Sequence, residues 1–185
     1  MDTTEIDAIL AGAKKPEASV PLCLRSDLQD QWETLEAELQ AEDRAETPTL
    51  AKADSKRAKE LAEQVRALQA EMEKSTITVT LRAMDRVPWK ELQSAHPPRK
   101  DSAVDWRLGF NPDTFYDALI AASIVDPVLD EERLAKLLDA ITAGQFDKLA
   151  STAWELNRSD VSVPFSATAS RIASSSGGTS KRRSG

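Results

Sequence analysis

Cysteine and histidine, the side chains best suited to nucleophilic or metal chemistry, occur once each, as Cys23 and His96. A Ser-His-Asp or Cys-His mechanism would have to use His96, which precedes two prolines at a predicted helix end. A cation there is favoured by the helix dipole and can bond the last carbonyls, so a structural role explains it. Cys23 lies in a predicted linker without a surrounding motif. Two such residues cannot form a structural zinc site, and we predict no catalytic residue and no metal site.

Phosphate-binding loops are also missing from the sequence. The chain has 6 glycines, and none belongs to a G-x-G-x-x-G or Walker-type motif. Gly109 is expected in a turn and Gly144 in the first turn of a helix. The acidic run Asp130-Glu131-Glu132 is better explained as the start of a helix than as a metal site. We therefore predict no cofactor, and an enzyme is the least favoured class.

The charge balance bears on partners and location. The 185 residues carry 24 Lys and Arg against 31 Asp and Glu, a net charge of −7. The segment 171–185 adds basic residues and no acid, so the remaining body is more acidic still, which disfavours nucleic acid and anionic membranes as partners. The acidic N-terminus does not resemble a secretory signal, and no apolar run approaches the roughly 20 residues of a membrane span. With a single cysteine, these features predict a cytoplasmic protein.

The first 25 residues of the chain predict a short arm and a linker. Residues 1–25 hold a helix from Glu5 to about Lys14, with Thr3 or Thr4 as its cap, followed by a linker containing Pro16 and Pro21. An arm of this length is too short to be stable in isolation, so it either docks or frays.

Residues 26–74 predict an antiparallel helical hairpin. Ser26 and Gln29 have capping-box spacing, and the two helices are separated by a break at 47–49. Apolar residues recur at alternating spacings of three and four, which is typical of a coiled-coil-like seam. These positions are Leu28, Trp32, Leu35 and Leu39 in the first helix and Ala58, Leu61, Val65, Leu68 and Met72 in the second. So few heptads leave open whether the seam forms within one chain or between two.

One stretch changes to the period of a β-strand. Ile77, Val79 and Leu81 alternate with threonines and an arginine, which predicts a half-buried strand from about Ser75 to Ala83. The other candidate strand in the sequence is 161–163. Either the two pair, or the edge is free to pair with another chain.

Residues 75–172 predict a mainly helical core. Pro88 marks the start of a helix to about Ala95, and the stretch 99–105 is predicted to be a polar loop. Further helices begin at Asn111-Pro112, at Asp130 and at the capping box of Thr142 and Gln145. A short helix is possible at 166–172. The large residues available for the core are Trp89, Trp106, Phe115, Phe146 and Trp154.

The complete interpretation is a mainly α fold. It has an N-terminal antiparallel helical hairpin of coiled-coil-like character, one or two short β-strands and a compact C-terminal helical bundle. Residues 173–185, a Ser/Gly-rich stretch with a basic end, are predicted to be a disordered tail because they cannot bury apolar surface.

Several phrases, in order, resemble tail assembly chaperones of long-tailed, siphovirus-type bacteriophages infecting actinobacteria. The likeness covers roughly 21–172. It rests on Leu24-Arg25-Ser26-Asp27-Leu28 before the first hairpin helix, the strand ending in Leu81-Arg82-Ala83-Met84, His96-Pro97-Pro98, Phe110-Asn111 leading to Ala118-Leu119-Ile120, and Trp154-Glu155-Leu156-Asn157 leading to Val163-Pro164-Phe165-Ser166. The series in order is more specific than any one phrase.

The resemblance implies a virion assembly factor in the host cytoplasm. Such a protein binds the very long helical tape measure protein and keeps it soluble until tail tube subunits polymerise around it, and it is absent from the mature virion. The family commonly makes a longer form by programmed frameshifting, so that longer form and the tail tube protein are possible further partners. It has no catalytic residues to transfer. The alternative from the same kind of gene cluster is a virion structural or connector protein acting as a helical interaction module, followed by a cellular adaptor.

Three residues are the candidates for a client-binding groove: Phe115, Tyr116 and Trp154. A groove between helices with adaptable apolar residues suits an amphipathic helical client. The competing interpretation is that all three are buried, since a chain with only 5% aromatic residues needs most of them in its core. Self-association through the hairpin is a further possibility.

Overall fold

A computed structural model of the chain describes residues 2–45, 56–160 and Thr168. It is mainly helical, with 68% helix and a small antiparallel sheet of three strands. None of the helices in the described ranges has both the length and the apolar character needed to cross a bilayer. The elements, in chain order, are α1 (Thr3–Ala11), β1 (Glu17–Cys23), a 3₁₀ turn (Ser26–Leu28), α2 (Gln29–Ala45), α3 (Lys56–Lys74), β2 (Thr76–Arg82), α4 (Arg86–Ala95), α5 (Ala103–Leu108), α6 (Pro112–Ser123), β3 (Ile124–Asp126), α7 (Glu131–Ala140) and α8 (Ala143–Arg158).

The sheet has the order β1-β2-β3, and both pairings are antiparallel. The predicted strand is confirmed as β2, but its partners were not foreseen. Residues 17–23, predicted to be linker, form β1, and residues 124–126, directly after α6, form β3. The candidate strand 161–163 lies outside the described residues.

Pro21 is the reason that the sequence predicts a linker where β1 lies. The position of Pro21 in the ladder explains why the strand tolerates a proline. The N–H of Leu24 donates to the carbonyl of Ser75, and the N–H of Ala83 donates to that of Pro16. Hydrogen-bonded pairs alternate in an antiparallel ladder, so even-numbered residues of β1 bond to β2. The nitrogen of Pro21 therefore faces the open edge, where no donor is needed.

The core lies between one face of the sheet and helices α6 and α8. Val20 and Leu22 of β1 and Val79 and Leu81 of β2 are buried on the same face. This is the alternation that a sheet covered on one side requires. The helices contribute most of the other buried residues, which are Phe110, Phe115, Leu119, Ile120, Leu137, Leu149, Ala150 and Ala153.

The two N-terminal helix starts differ from the prediction. Asp2, not Thr3 or Thr4, caps α1, and its side chain and that of Glu5 form a capping box. Helix α1 ends at Ala11. The Ser26–Leu28 segment is a 3₁₀ turn without a side-chain cap, and α2 begins at Gln29. In both places several Ser, Thr or Asp residues compete for the cap, and sequence spacing alone does not select among them.

Helices α2 and α3 contact each other, and the chain between them, 46–55, is outside the described residues. Arg25, just before the 3₁₀ turn, pairs with Glu71 near the end of α3 at 2.8 Å. Glu38 of α2 pairs with Arg57 at the start of α3 at 2.9 Å. Leu61 and Val65 are buried in this contact region of α3.

Helix starts in the second half follow the prediction closely. Asn111 caps α6 with Pro112 as its first residue, Asp130 caps α7, and Thr142 and Gln145 form a capping box at α8. Gly109 has φ of 86°, the left-handed conformation that ends α5. The predicted loop 99–105 is wrong in part, because α5 begins at Ala103. The predicted helix at 166–172, apart from Thr168, and the tail at 173–185 lie outside the described residues.

Candidate partner-binding surfaces

An aromatic cluster brings together the three residues predicted for client binding. Phe115 and Tyr116 come from α6 and Trp154 from α8, with ring centroids of Tyr116 and Trp154 6.5 Å apart. Phe110 stacks on Phe115 at 4.1 Å, and Trp89 of α4 meets Trp154 at 5.6 Å. Tilted and edge-on geometries at such distances are favourable for aromatic pairs. The cluster joins three helices at one side of the core.

The three residues differ in what they offer to a partner. Phe115 is completely buried and presents no surface, whereas Tyr116 and Trp154 are half-buried and pack against the core. The guanidinium of Arg158, one turn after Trp154, lies 5.0 Å from the indole centroid in a cation–π contact. A partner at this edge would meet Tyr116, Trp154 and Arg158. Their role in binding stays a prediction.

A polar brace that the sequence did not reveal fixes the segment before α5. Asp105 is fully buried and accepts hydrogen bonds from Nε of Arg99 at 2.7 Å and from its Nη2 at 3.0 Å. The backbone N–H of Arg99 and the hydroxyl of Ser102 also donate to Asp105. Arg99 reaches Asp113 of α6 as well, at 2.6 Å.

The brace perturbs both of its charged members. The hydrogen bonds from Arg99 hold the pKa of Asp105 well below its ordinary value, against the opposing effect of desolvation. The same hydrogen bonds raise the pKa of Arg99. A buried carboxylate that is paired and bonded on all sides is stable as a charge, so the group locks the loop and is not poised for proton transfer.

Helix α5, held by this brace, exposes three large apolar side chains. Trp106, one of the large residues available for the core, is 63% exposed, and its indole N–H donates to the carbonyl of Lys100. Val104 and Leu108 on the same helix are also exposed. The side chain that α5 buries is Asp105, which the sequence pattern does not indicate.

An apolar groove lies beside α7 and is called here the α7 groove. Its volume is about 300 Å³. Two cations, Arg133 and Lys136, are its charged lining residues, and both bond to acidic neighbours on α7 or at its cap. The apolar lining comes from the end of the sheet, the segment after β3 and α7: Leu24, Ile77, Pro127, Leu129, Leu137 and Ala140. No sequence pattern marks this groove, because its walls are distant in the chain.

His96 and Cys23, the two residues considered for chemistry, each make contacts that stabilise the fold. Nδ1 of His96 lies 2.9 Å from the hydroxyl of Thr114, and its ring contacts Phe115 edge-on. Cys23 is half-buried, and its thiol donates to the carbonyl of Met72. Within the described ranges, no group of three or more Cys, His, Asp or Glu is arranged to hold a metal ion.

Comparison of the chain with protein-family models, with curated proteins and with solved structures found no match.

Proposed function

We propose that this protein is a phage tail assembly chaperone that binds the tape measure protein and keeps it soluble during polymerisation of the tail tube. The observation that carries the proposal is the ordered series of phrases in the sequence, from Leu24-Arg25-Ser26 to Val163-Pro164-Phe165. The proposal places the protein in the host cytoplasm and leaves it out of the mature virion.

The surface features are compatible with a chaperone that holds an amphipathic helix. Such a client needs apolar residues arranged between helices, and Tyr116 of α6 and Trp154 of α8 lie half-buried at one such edge. A net charge of −7 favours solubility of a complex with an apolar client. The α2–α3 pair, as an antiparallel coiled-coil hairpin, would add a rigid arm to this body.

Co-expression tests the proposal. A fragment of the cognate tape measure protein is expressed alone or together with this protein, and the soluble fraction is measured and passed over gel filtration. We expect the client to precipitate alone and to elute as a complex when both are present. Because the proposed contact is largely apolar, moderate salt should not dissociate the complex. Identical behaviour of the client with and without this protein would refute the proposal and favour a virion structural or connector module.

A charge-reversal pair tests the aromatic edge within the same assay. Arg158→Glu puts a carboxylate beside the indole of Trp154, so less client should stay soluble. Lys148→Glu makes the same charge change about 15 Å away along α8 and should retain the client. If both variants keep the same amount of client soluble, the client site does not lie at Trp154, and the chaperone function is not refuted.

A further inference from the structure

Helix α1 is folded but not packed. None of its residues is buried by the described part of the chain, and Ile6, Ile9 and Leu10 are 41%, 60% and 64% exposed. Isolated helices shorter than roughly 12–15 residues are marginal in water, and α1 has 9 residues. A helix of this kind is stabilised when its apolar stripe docks against another surface.

The stripe has the spacing of a helix that docks in a groove. Ile6, Ile9 and Leu10 stand at i, i+3 and i+4, so their side chains share one face. Asp2, Glu5 and Asp7 give this end of the chain an acidic character, and α1 contains no basic residue. An acidic amphipathic helix fits an apolar groove that has basic residues at its rim.

The α7 groove has that character. Six of its eight lining residues are apolar, and Arg133 and Lys136 are the two that carry charge. Both cations are more than two-thirds exposed, and their present ion pairs lie on the surface. Exposed pairs of this kind contribute little free energy, so an incoming carboxylate can compete for the cations.

The groove of the same molecule is out of reach of α1. Lys15 pairs with Asp85 at 3.0 Å and Pro16 accepts a hydrogen bond from Ala83, which fixes the chain at the far end of β1. Ile77, which pairs with Leu22, lies about 23 Å from Lys15 at the rise of a strand. Hydrogen bonds to Gly12 and Ala13 continue the helical turn, so only the last two residues before Lys15 can extend. With the helix folded, Leu10 lies within about 12 Å of Lys15 and Ile6 within about 18 Å, both short of the groove. The three apolar side chains of α1 therefore cannot all enter their own groove.

We propose that α1 of one copy docks in the α7 groove of a second copy, and that reciprocal exchange gives a closed dimer. Each chain offers one arm and one groove, so two copies satisfy both surfaces through a two-fold axis. This proposal goes beyond the chaperone function and does not depend on it.

The oligomeric state, measured by light scattering after gel filtration, tests the proposal with matched variants. Ile9→Asp places a carboxylate in the docking stripe and should give a monomer. Ala8→Asp adds the same charge to the opposite face of α1 and should stay dimeric. On the groove side, Ala140→Glu should give a monomer, and Ala135→Glu, on the same helix but outside the groove, should stay dimeric. A monomeric unmodified chain, or equal effects of each variant and its control, would overturn the proposal.

A disulfide trap tests the pairing directly and does not depend on a variant that weakens association. In a Cys23→Ser background, Leu10→Cys and Lys136→Cys are combined and the protein is mildly oxidised. We expect a covalent dimer on a non-reducing gel, and monomers when the two substitutions are carried singly. A bond within one chain would show that α1 reaches its own groove, and no bond would assign α1 to a different partner, such as a client helix. Either result would overturn the exchange.

Discussion

Asp105 shows how a single buried charge organises a loop. Its carboxylate is completely buried and is held by Arg99 and Ser102. Removing the charge by Asp105→Asn should clearly lower the melting temperature, because an amide cannot accept the same set of charge-assisted hydrogen bonds. Asp101→Asn, at an exposed position in the same segment, should leave the melting temperature within error.

The pH dependence of this effect follows from the lowered pKa of Asp105. The unfolded chain has the ordinary carboxyl pKa of 3.8, and the folded one has a lower value. The stabilisation is therefore complete above the unfolded value and is lost as the pH falls towards the folded value. We expect the difference in melting temperature between the unmodified protein and Asp105→Asn to be constant from pH 7 to about pH 5 and to shrink below about pH 4. A difference that stays constant in acid would contradict the pairing.

At the level of residues, the sequence predicted positions on strong local signals and missed those that depend on distant neighbours. Asn111, Asp130 and Thr142 were identified as caps because their partners are two or three residues away. The sequence places Asp105 in a predicted polar loop, although Ser102, three residues earlier, has the spacing of an N-cap residue. The burial of Asp105 depends on its pairing with Arg99, and the sequence does not indicate which carboxylate an arginine will bind.

Helix α8 offers a test of the capping prediction at the scale of an element. Thr142→Ala removes the hydroxyl that accepts from the N–H of Gln145, and it should cost about 1 kcal/mol of stability. Thr142→Ser keeps the acceptor and should cost much less. Urea unfolding measures both, and equal losses would show that the methyl group of Thr142, not its cap, matters.

Strand β1 offers a proline test of its register. Ala18→Pro removes an N–H from the ladder with β2 and should strongly destabilise the protein. Ser19→Pro removes an N–H that faces the open edge, as Pro21 already does, and should cost far less. Thermal unfolding distinguishes the two, and a larger loss for Ser19→Pro than for Ala18→Pro would mean that the register is shifted by one residue.

A substitution at Leu61 of α3 tests the contact between α2 and α3. Leu61 is only 1% exposed, so Leu61→Ala should cost about 2–5 kcal/mol and reduce the helical signal in circular dichroism. Gln64→Ala, on an exposed position of the same helix, should change stability by less than about 0.5 kcal/mol. No difference between the two would mean that the helices separate in solution.

At the level of elements, periodicity predicted the helices and β2 but not the strand partners. The reason is physical: β1 carries a proline in its centre, and β3 has three residues, too few to show alternation. Helix α5 was hidden because its buried side is an aspartate and its tryptophan is exposed. The α7 groove could not be foreseen, because it is formed by segments between Leu24 and Ala140 that only the fold brings together.

At the scale of the whole molecule, the described chain is a three-stranded sheet covered on one face by helices, with α2 and α3 as a further helical pair. Phe115 belongs to the core, so its truncation should act through stability rather than through a client. The half-buried Tyr116 and Trp154 are the members of the predicted trio that a client could reach without unfolding the core.

One mass-spectrometric comparison tests most directly whether the protein assists tail assembly and is absent from the mature virion. Infected-cell lysate is fractionated by capture of the tape measure protein, and purified virions of the same phage are measured alongside. We expect peptides of this chain with the captured tape measure protein and none in the virions, although the tape measure protein is present in both. Stoichiometric peptides of this chain in purified virions would contradict the chaperone function and identify a structural component instead.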